Sequence, residues 1–224
     1  MHMNSSTYSH IAQAWQFIEE TSMSADTADI QSVRAQIAHK STVVSSSLAA
    51  FIGMQAQLIQ ARNVLIIGLD SGIEIPVLTH GLGEASQLTV VTPSADDAQR
   101  TRSIFDSLRS PHTRMRCVST DVKTFLHRLN AHDYDMIVVS SEAENYAVAR
   151  DEVARLLRDG GMLILTDVMA LTDEKSEGGV PNPADRHDKA VVLRSVIDEL
   201  MHDEMYTTAL LSIATGVLMA IVHQ

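Results

Sequence analysis

Residues 63–72, NVLIIGLDSG, form the stretch of this chain whose residue types point most directly to chemistry. An apolar strand running into a glycine-bounded turn is where doubly wound α/β domains hold a nucleotide cofactor. Gly68 and Gly72 bracket that turn, and Leu69, Asp70 and Ser71 stand where small residues let a ligand approach the backbone. Further along, Asp167 follows an apolar run and could act as a base, while His187 and Asp188 lie in a polar stretch able to cover a site. Each has a plain alternative: a carboxylate after a strand caps the next segment, and an Asp-Arg-His-Asp run in a polar loop is a solvated surface. Other chemistries find no support. The ten histidines form no HExxH pattern and none pairs with the single cysteine. Ser45, Ser46 and Ser47 lack a glycine elbow and suit a helix cap. Cys117 lies in an apolar run, where a buried, inert thiol is expected, and the eleven methionines fall largely in apolar periodic segments as core filler.

These residues need a scaffold, and the hydrophobic periodicity supplies one. Three amphipathic segments come first, at residues 8–20, 25–38 and 45–60, with Asp26 and the serine cluster as N-caps. Short apolar strands follow at 64–67, 88–91, 114–118, 136–139 and 162–165, separated by helical stretches at 74–82, 95–108, 121–129 and 146–157. That alternation predicts a parallel sheet covered on both faces. Residues 172–188, with Gly178, Gly179, Pro181 and Pro183, read as a long loop, a lid or a disordered stretch. A helix over 189–201 leads to two β-rich runs, 206–213 and 217–222, too close together to pair other than as an antiparallel hairpin. An ordinary dinucleotide-binding domain lacks that ending.

With 224 residues, the chain can build one α/β domain with a sizeable core, read as an N-terminal helical segment at 1–60 packed on a sheet domain at 61–224. A formal net charge of −11 without a basic stripe argues against nucleic acid as a partner. The start, MHMNSSTYSH, has no apolar signal-peptide core, and the apolar run at 216–222 is too short to span a bilayer. A cytoplasmic protein without a membrane partner is expected.

Three segments narrow the reading: YDMIVVSSEAENY at 134–146, RDGGMLILTDVM at 158–169 and NPADRHDKAVVLR at 182–194. The first two resemble YDLVFIDADKxxY and RPGGVLVADNVL of the class I S-adenosylmethionine-dependent methyltransferases. More narrowly, the chain resembles the catechol O-methyltransferase-like small-molecule O-methyltransferases of the actinobacterial branch, from about residue 45 to its end. The resemblance implies a Rossmann-like α/β fold of seven strands with a C-terminal antiparallel hairpin and helices on both faces. It also implies S-adenosylmethionine as cofactor and a small-molecule methyl acceptor.

Carried over residue by residue, the cofactor cradle falls on Gly68 and Gly72, with Asp70 where the family usually has glycine and Ile66 in place of its strand-one acid. Thr92 stands where a carboxylate would accept both ribose hydroxyls, and the adenine end falls near Thr120, Asp121 and Val122. A neutral hydroxyl in place of that carboxylate weakens binding by about 1 to 3 kcal/mol. The family's metal ligands, two aspartates and an asparagine, align to Ser140, Thr166 and Asp167, with Glu142 near in sequence but off position. One carboxylate and two hydroxyls suit a divalent cation poorly, so no metal is expected and Ser140 is grouped with the cofactor contacts. Asp167 is the candidate catalytic residue.

Two readings compete: a metal-independent O-methyltransferase with an altered cofactor pocket, and an inactive protein that keeps the fold as a binding or dimeric scaffold. A nicotinamide oxidoreductase fails because GxGxxG is absent and the terminal hairpin is unexplained. A homodimer through the N-terminal helices is expected, with Trp15 and Phe17 on the first helix placed to pack on the body or on a second subunit.

Overall fold

The computed structural model describes residues 5–37, 45–69, 72–108, 112–172 and 176–223. Helices α1 (Ser5–Ser24), α2 (Ala28–Ile37) and α3 (Ser46–Leu58) precede the alternating part of the chain. That part runs β1 (Asn63–Ile67), α4 (Glu74–Gly81), β2 (Ser86–Thr92), α5 (Ala95–Ser107), β3 (Thr113–Ser119), α6 (Val122–Leu126), β4 (Tyr134–Val139), α7 (Ala143–Leu156) and β5 (Leu157–Thr166). It closes with α8 (Asp188–His202), β6 (Tyr206–Leu211) and β7 (Val217–Val222).

The seven strands lie in the order β3-β2-β1-β4-β5-β7-β6. β1 pairs in parallel with both β2 and β4, as Ile66 does with Val90 and Val138. The expected hairpin is present, and β7 inserts beside β5 in antiparallel register, with Ile164 opposite Met219, leaving β6 at the edge. Because the sheet is covered on both sides, central strands such as β1 and β4 are apolar and buried at most positions, and alternate residues feed two cores. Val64, Ile66, Leu88, Val90, Met136 and Val138 pack under α2 to α5. Leu65, Ile67, Val91, Ile137 and Val139 pack under α6 to α8. The N-terminal helices share the first core through Val33, Leu48 and Ile52.

Several local expectations are corrected. Asp26 does not cap α2: the Ile30 N–H meets the Thr27 hydroxyl at 3.4 Å, and the Asp26 carboxylate instead takes the Arg34 Nε at 2.6 Å and the Ser46 hydroxyl at 3.3 Å. A charged guanidinium outcompetes a capping N–H for the carboxylate. Ser45 does cap α3, accepting from the Leu48 N–H at 3.0 Å, while Glu19 of α1 accepts from the Ser46 N–H at 2.9 Å and ties α1 to α3. β5 begins five residues earlier than apolarity suggests, because Leu157 already pairs with Tyr134 and Arg158 bridges to Asp135. Cys117 is half-buried, its thiol pushed up by burial, consistent with an unreactive group.

The loop before α8 is not a solvated surface at its centre. Asp185 is 1% exposed, and its carboxylate accepts from the N–H groups of Glu177 at 2.7 Å, Gly179 at 2.8 Å and His187 at 2.9 Å. From α8, Arg194 donates to the carbonyls of Gly179 and Asp185, each at 3.0 Å. Gly179 has φ +65°, and a Cβ there would lie 2.0 Å from the Met169 carbonyl oxygen, so the loop is pressed onto the turn that follows β5. Sequence shows only a polar, glycine- and proline-bearing run; the knot depends on a carboxylate and a guanidinium nine positions apart.

Candidate active site

Because β2 leaves β1 on one side and β4 lies on the other, the loops at the carboxyl ends of β1 and β4 part, opening a crevice there. A cleft of about 650 Å3 occupies it. It runs from Thr92, Pro93 and Ser94 after β2, past Gly68 and Leu69, across residues 141–145 after β4, to Thr172 and residues 187–189 at the start of α8. That size suits a small ligand or cofactor.

The floor is built around Gly68. Its N–H donates to the Val91 carbonyl at 2.9 Å, extending the β1–β2 ladder by one residue, and its φ of +79° then turns the chain away. A Cβ on Gly68 would lie 2.4 Å from the Ser140 carbonyl oxygen and 2.6 Å from Asn145 Nδ2. Only glycine permits this approach. Asn145 Nδ2 itself donates to the Ser140 carbonyl at 2.8 Å within the turn after β4, and the Ser140 N–H donates to the Ile67 carbonyl at 3.0 Å, tying that turn to the end of β1. Gly72, φ +93°, donates its N–H to the buried Glu74 carboxylate at 3.0 Å. Asp70 lies outside the described residues, as does Ser71.

At the β2 end, Thr92 is 2% exposed and its hydroxyl accepts from the Ser94 N–H at 3.2 Å. The residue that brings a carboxylate to this wall is Asp97, in the first turn of α5, tied to Arg100 at 2.8 Å. Thr120 joins Thr92 through an N–H to carbonyl bond of 3.1 Å, at the same end of the sheet. Asp121 caps α6, and hydrogen bonds from Thr124 hold its carboxyl below the usual range; Val122 is buried. Thr120, Asp121 and Val122 are not among the residues lining the cleft.

At the opposite end, Ser141 and Asp167, which follow β4 and β5, both adopt left-handed backbone, φ 73° and 48°. Such conformations in non-glycine residues concentrate at functional turns. Ser140 is buried, its N–H donating to the Ile67 carbonyl at 3.0 Å. The Thr166 hydroxyl donates to the Val139 carbonyl at 3.1 Å, within the sheet. Asp167, 4% exposed, accepts from Lys189 Nζ at 2.8 Å and from the Thr172 hydroxyl at 2.5 Å through one oxygen, Oδ2. His187 and Asp188 line the cleft at the N-terminus of α8. The three places that the resemblance assigns to metal ligands therefore offer one carboxylate, already paired with an ammonium, and two buried neutral side chains, so the donor set does not fit a divalent cation. Among the described residues, no group of three His, Cys, Asp or Glu side chains could hold a metal ion.

Asp97, Asn145 and Lys189 are among the cleft residues that sequence reasoning did not single out. Lys189 had a signal: with Leu193, Val196 and Leu200 it falls on the buried stripe of α8, where a lysine needs a partner. A second, apolar cavity of about 890 Å3 lies between α1, α3 and the β6–β7 turn, lined by Trp15, Ile18, Met23, Phe51, Met54 and Ile213 among others.

A seven-stranded sheet with an inserted terminal hairpin and a crevice over a glycine turn defines a Rossmann-like protein of the methyltransferase type. Residues 19–222 match the O-methyltransferase family model, and the chain belongs to that family. A Mycobacterium ulcerans protein provisionally named an O-methyltransferase is 25% identical over 178 residues, 80% of this chain and 77% of that protein. The fold is shared with the O-methyltransferase from Bacillus cereus solved in complex with S-adenosylhomocysteine, at TM-score 0.78 and 18% identity over 94% of this chain and 99% of the other. It is shared as well with TomG from Streptomyces achromogenes, solved with S-adenosylmethionine, at TM-score 0.74 and 17% identity over 89% and 91% of the two chains.

Proposed function

We propose that this protein transfers a methyl group from S-adenosylmethionine to an oxygen of a small-molecule acceptor, without a metal. The observation that carries the reading is the glycine turn at Gly68, which lines the cleft and packs so closely on the turn after β4 that any side chain there would collide with Ser140 and Asn145. When bound, the cofactor supplies an electrophilic methyl on a sulfonium. The chain's own part is to hold and orient. Gly68 and Leu69 offer the floor, Thr92 faces the ribose, and Asp97 supplies nearby the carboxylate that Thr92 lacks, weakened as an acceptor by its bond to Arg100. Ser140, whose carbonyl fixes the turn after β4, would contact the cofactor from that side of the cleft. Thr120, Asp121 and Val122 border the adenine end, with Asp70 and Gly72 in the turn. The acidic lining, Asp97, Glu142, Glu144 and Asp188 against Lys189, favours a positively charged cofactor.

Asp167 acts at the acceptor end of the cleft, where its carboxylate anchors Lys189. The scaffold alternative is not favoured, since family membership and an open cleft both accord with an enzyme. We further read the chain as one structural domain, cytoplasmic, and a homodimer through α1. Trp15, half exposed where it lines the apolar cavity, and Phe17, about two-thirds exposed on the same helix, support the dimer. No described helix is long and apolar enough to cross a membrane. Calorimetric titration with S-adenosylhomocysteine, followed by methyl-transfer assays on a panel of hydroxylated aromatic compounds, tests the reading. Absence of both binding and transfer would reject it.

A further inference from the structure

Lys189 meets the cleft although its side chain is only 7% exposed. Its Nζ donates to Asp167 Oδ2 at 2.8 Å and lies 5.4 Å from the centroid of the Tyr146 ring. An ammonium carries three donors; the carboxylate takes one and the ring face attracts another. Asp167 and Tyr146 are buried and do not line the cleft, whereas Lys189 does, so Lys189 is the member of this cluster that a ligand in the cleft meets. The pair is also fixed: Asp167 is held by the Thr172 hydroxyl, and the Tyr146 hydroxyl donates to the Thr166 carbonyl at 2.8 Å.

We propose that Lys189 binds the acceptor's reacting oxygen as an oxyanion and so defines the acceptor as a compound with a single acidic hydroxyl, of the phenol class. A divalent cation clasps two adjacent oxygens; one ammonium with one remaining donor clasps one, so a vicinal diol gains nothing here. The charge of Lys189 close to a hydroxyl favours its ionised form, against the opposing carboxylates of Asp167 behind it and of Glu142, Glu144 and Asp188 in the lining. The hydroxyl proton leaves to bulk water through the cleft mouth, and the oxyanion rests on Lys189. The oxygen then takes the methyl group, forming one O–C bond as the S–C bond breaks, with that bond's electron pair left on sulfur as a neutral thioether. This inference rests on the cleft being the S-adenosylmethionine site.

The test uses 4-nitrophenol, whose absorbance reports its ionisation, titrated into the protein saturated with S-adenosylhomocysteine across a range of pH. Four proteins are compared: wild type, Lys189→Met, Lys189→Arg, and the double variant Lys189→Met with Asp167→Asn. The double variant removes both charges, so no bare carboxylate is left buried if the single variant fails to fold. Asparagine also tolerates the left-handed backbone at that position. The wild type should bind the ionised form and lower the apparent pKa of the phenol. Lys189→Met and the double variant should lose at least about tenfold in affinity, the worth of one charge-assisted hydrogen bond, with S-adenosylhomocysteine binding kept and Lys189→Arg restoring most of the loss. Should the folded double variant bind 4-nitrophenolate as wild type does, or should 4-nitrocatechol with magnesium bind tenfold better than 4-nitrophenol, the proposal is overturned. Wild-type protein that holds 4-nitrophenolate through Lys189 but not S-adenosylhomocysteine would uphold the anion site and reject the methyltransferase reading instead.

Discussion

Replacing Gly68 by alanine is the sharpest perturbation that the cleft offers. The new Cβ would lie 2.4 Å from the Ser140 carbonyl oxygen, a backbone atom, and 2.6 Å from Asn145 Nδ2, a side-chain end held by its bond to that same carbonyl. Three costs combine. A non-glycine residue at φ +79° loses about 1 to 2 kcal/mol, from crowding of Cβ against its own backbone. Forcing an extra methyl into a filled space costs about 1 to 3 kcal/mol. Displacing Asn145 strains its bond to the Ser140 carbonyl, worth about 1 kcal/mol. A destabilisation of roughly 4 kcal/mol follows, which for a chain of this size lowers the melting temperature by roughly 8 to 16 °C. Gly83→Ala is the control, since a Cβ there meets nothing within 4 Å and should change stability by less than about 0.5 kcal/mol. Urea unfolding of both variants, with S-adenosylhomocysteine calorimetry alongside, measures the difference. If Gly68→Ala unfolds within about 0.5 kcal/mol of Gly83→Ala and binds the same ligand equally well, the close-approach reasoning is refuted.

Thr92→Asp should tighten S-adenosylhomocysteine binding about tenfold, near 1.4 kcal/mol, by returning a carboxylate to the ribose; unchanged or weaker binding in calorimetry would count against that placement. Asp185 gives a pH dependence: the His187 N–H first, then those of Gly179 and Glu177, hold its carboxyl below the ordinary range despite burial. Its stabilising contribution is therefore full above the unfolded aspartate pKa of about 3.9 and is lost as pH falls from there through the lower folded value. Asp185→Asn should flatten the acid limb of a stability against pH curve measured by urea melts, and a limb unchanged from wild type would contradict the loop knot. Light scattering at micromolar concentration should report a dimer, and Trp15→Glu on the exposed face of α1 should shift it toward monomer; a wild-type monomer would remove the assembly proposal.

The scaffold was legible because its signals are local. β7 spans the same residues that the apolar run at 217–222 marks, and β1 gains only Asn63, because alternation and turn residues fix such strands within a few positions. Gly68 was legible for a similar reason: a glycine after four apolar strand residues has few other uses. What escaped reading depends on contacts across the chain. Lys189 and Asp167 are 22 positions apart, with an irregular loop between them, and nothing in either neighbourhood names the other. Asp97 is hidden by its place in a helix N-terminus, where carboxylates are common for reasons of the helix dipole alone. Asp185 opens a run that reads as solvated surface because exposure is the usual fate of its residue types, and nothing local names Arg194 as the group that packs over it.

The most direct test of the account is calorimetric titration of S-adenosylhomocysteine into wild-type protein and Gly68→Ala, without added metal. The account predicts saturable binding to the wild type in the high-micromolar range, as expected of a ribose wall lacking its usual carboxylate, and loss of that binding in a Gly68→Ala protein still folded at the assay temperature. No binding to the wild type up to millimolar ligand, or binding that Gly68→Ala leaves untouched, would contradict it.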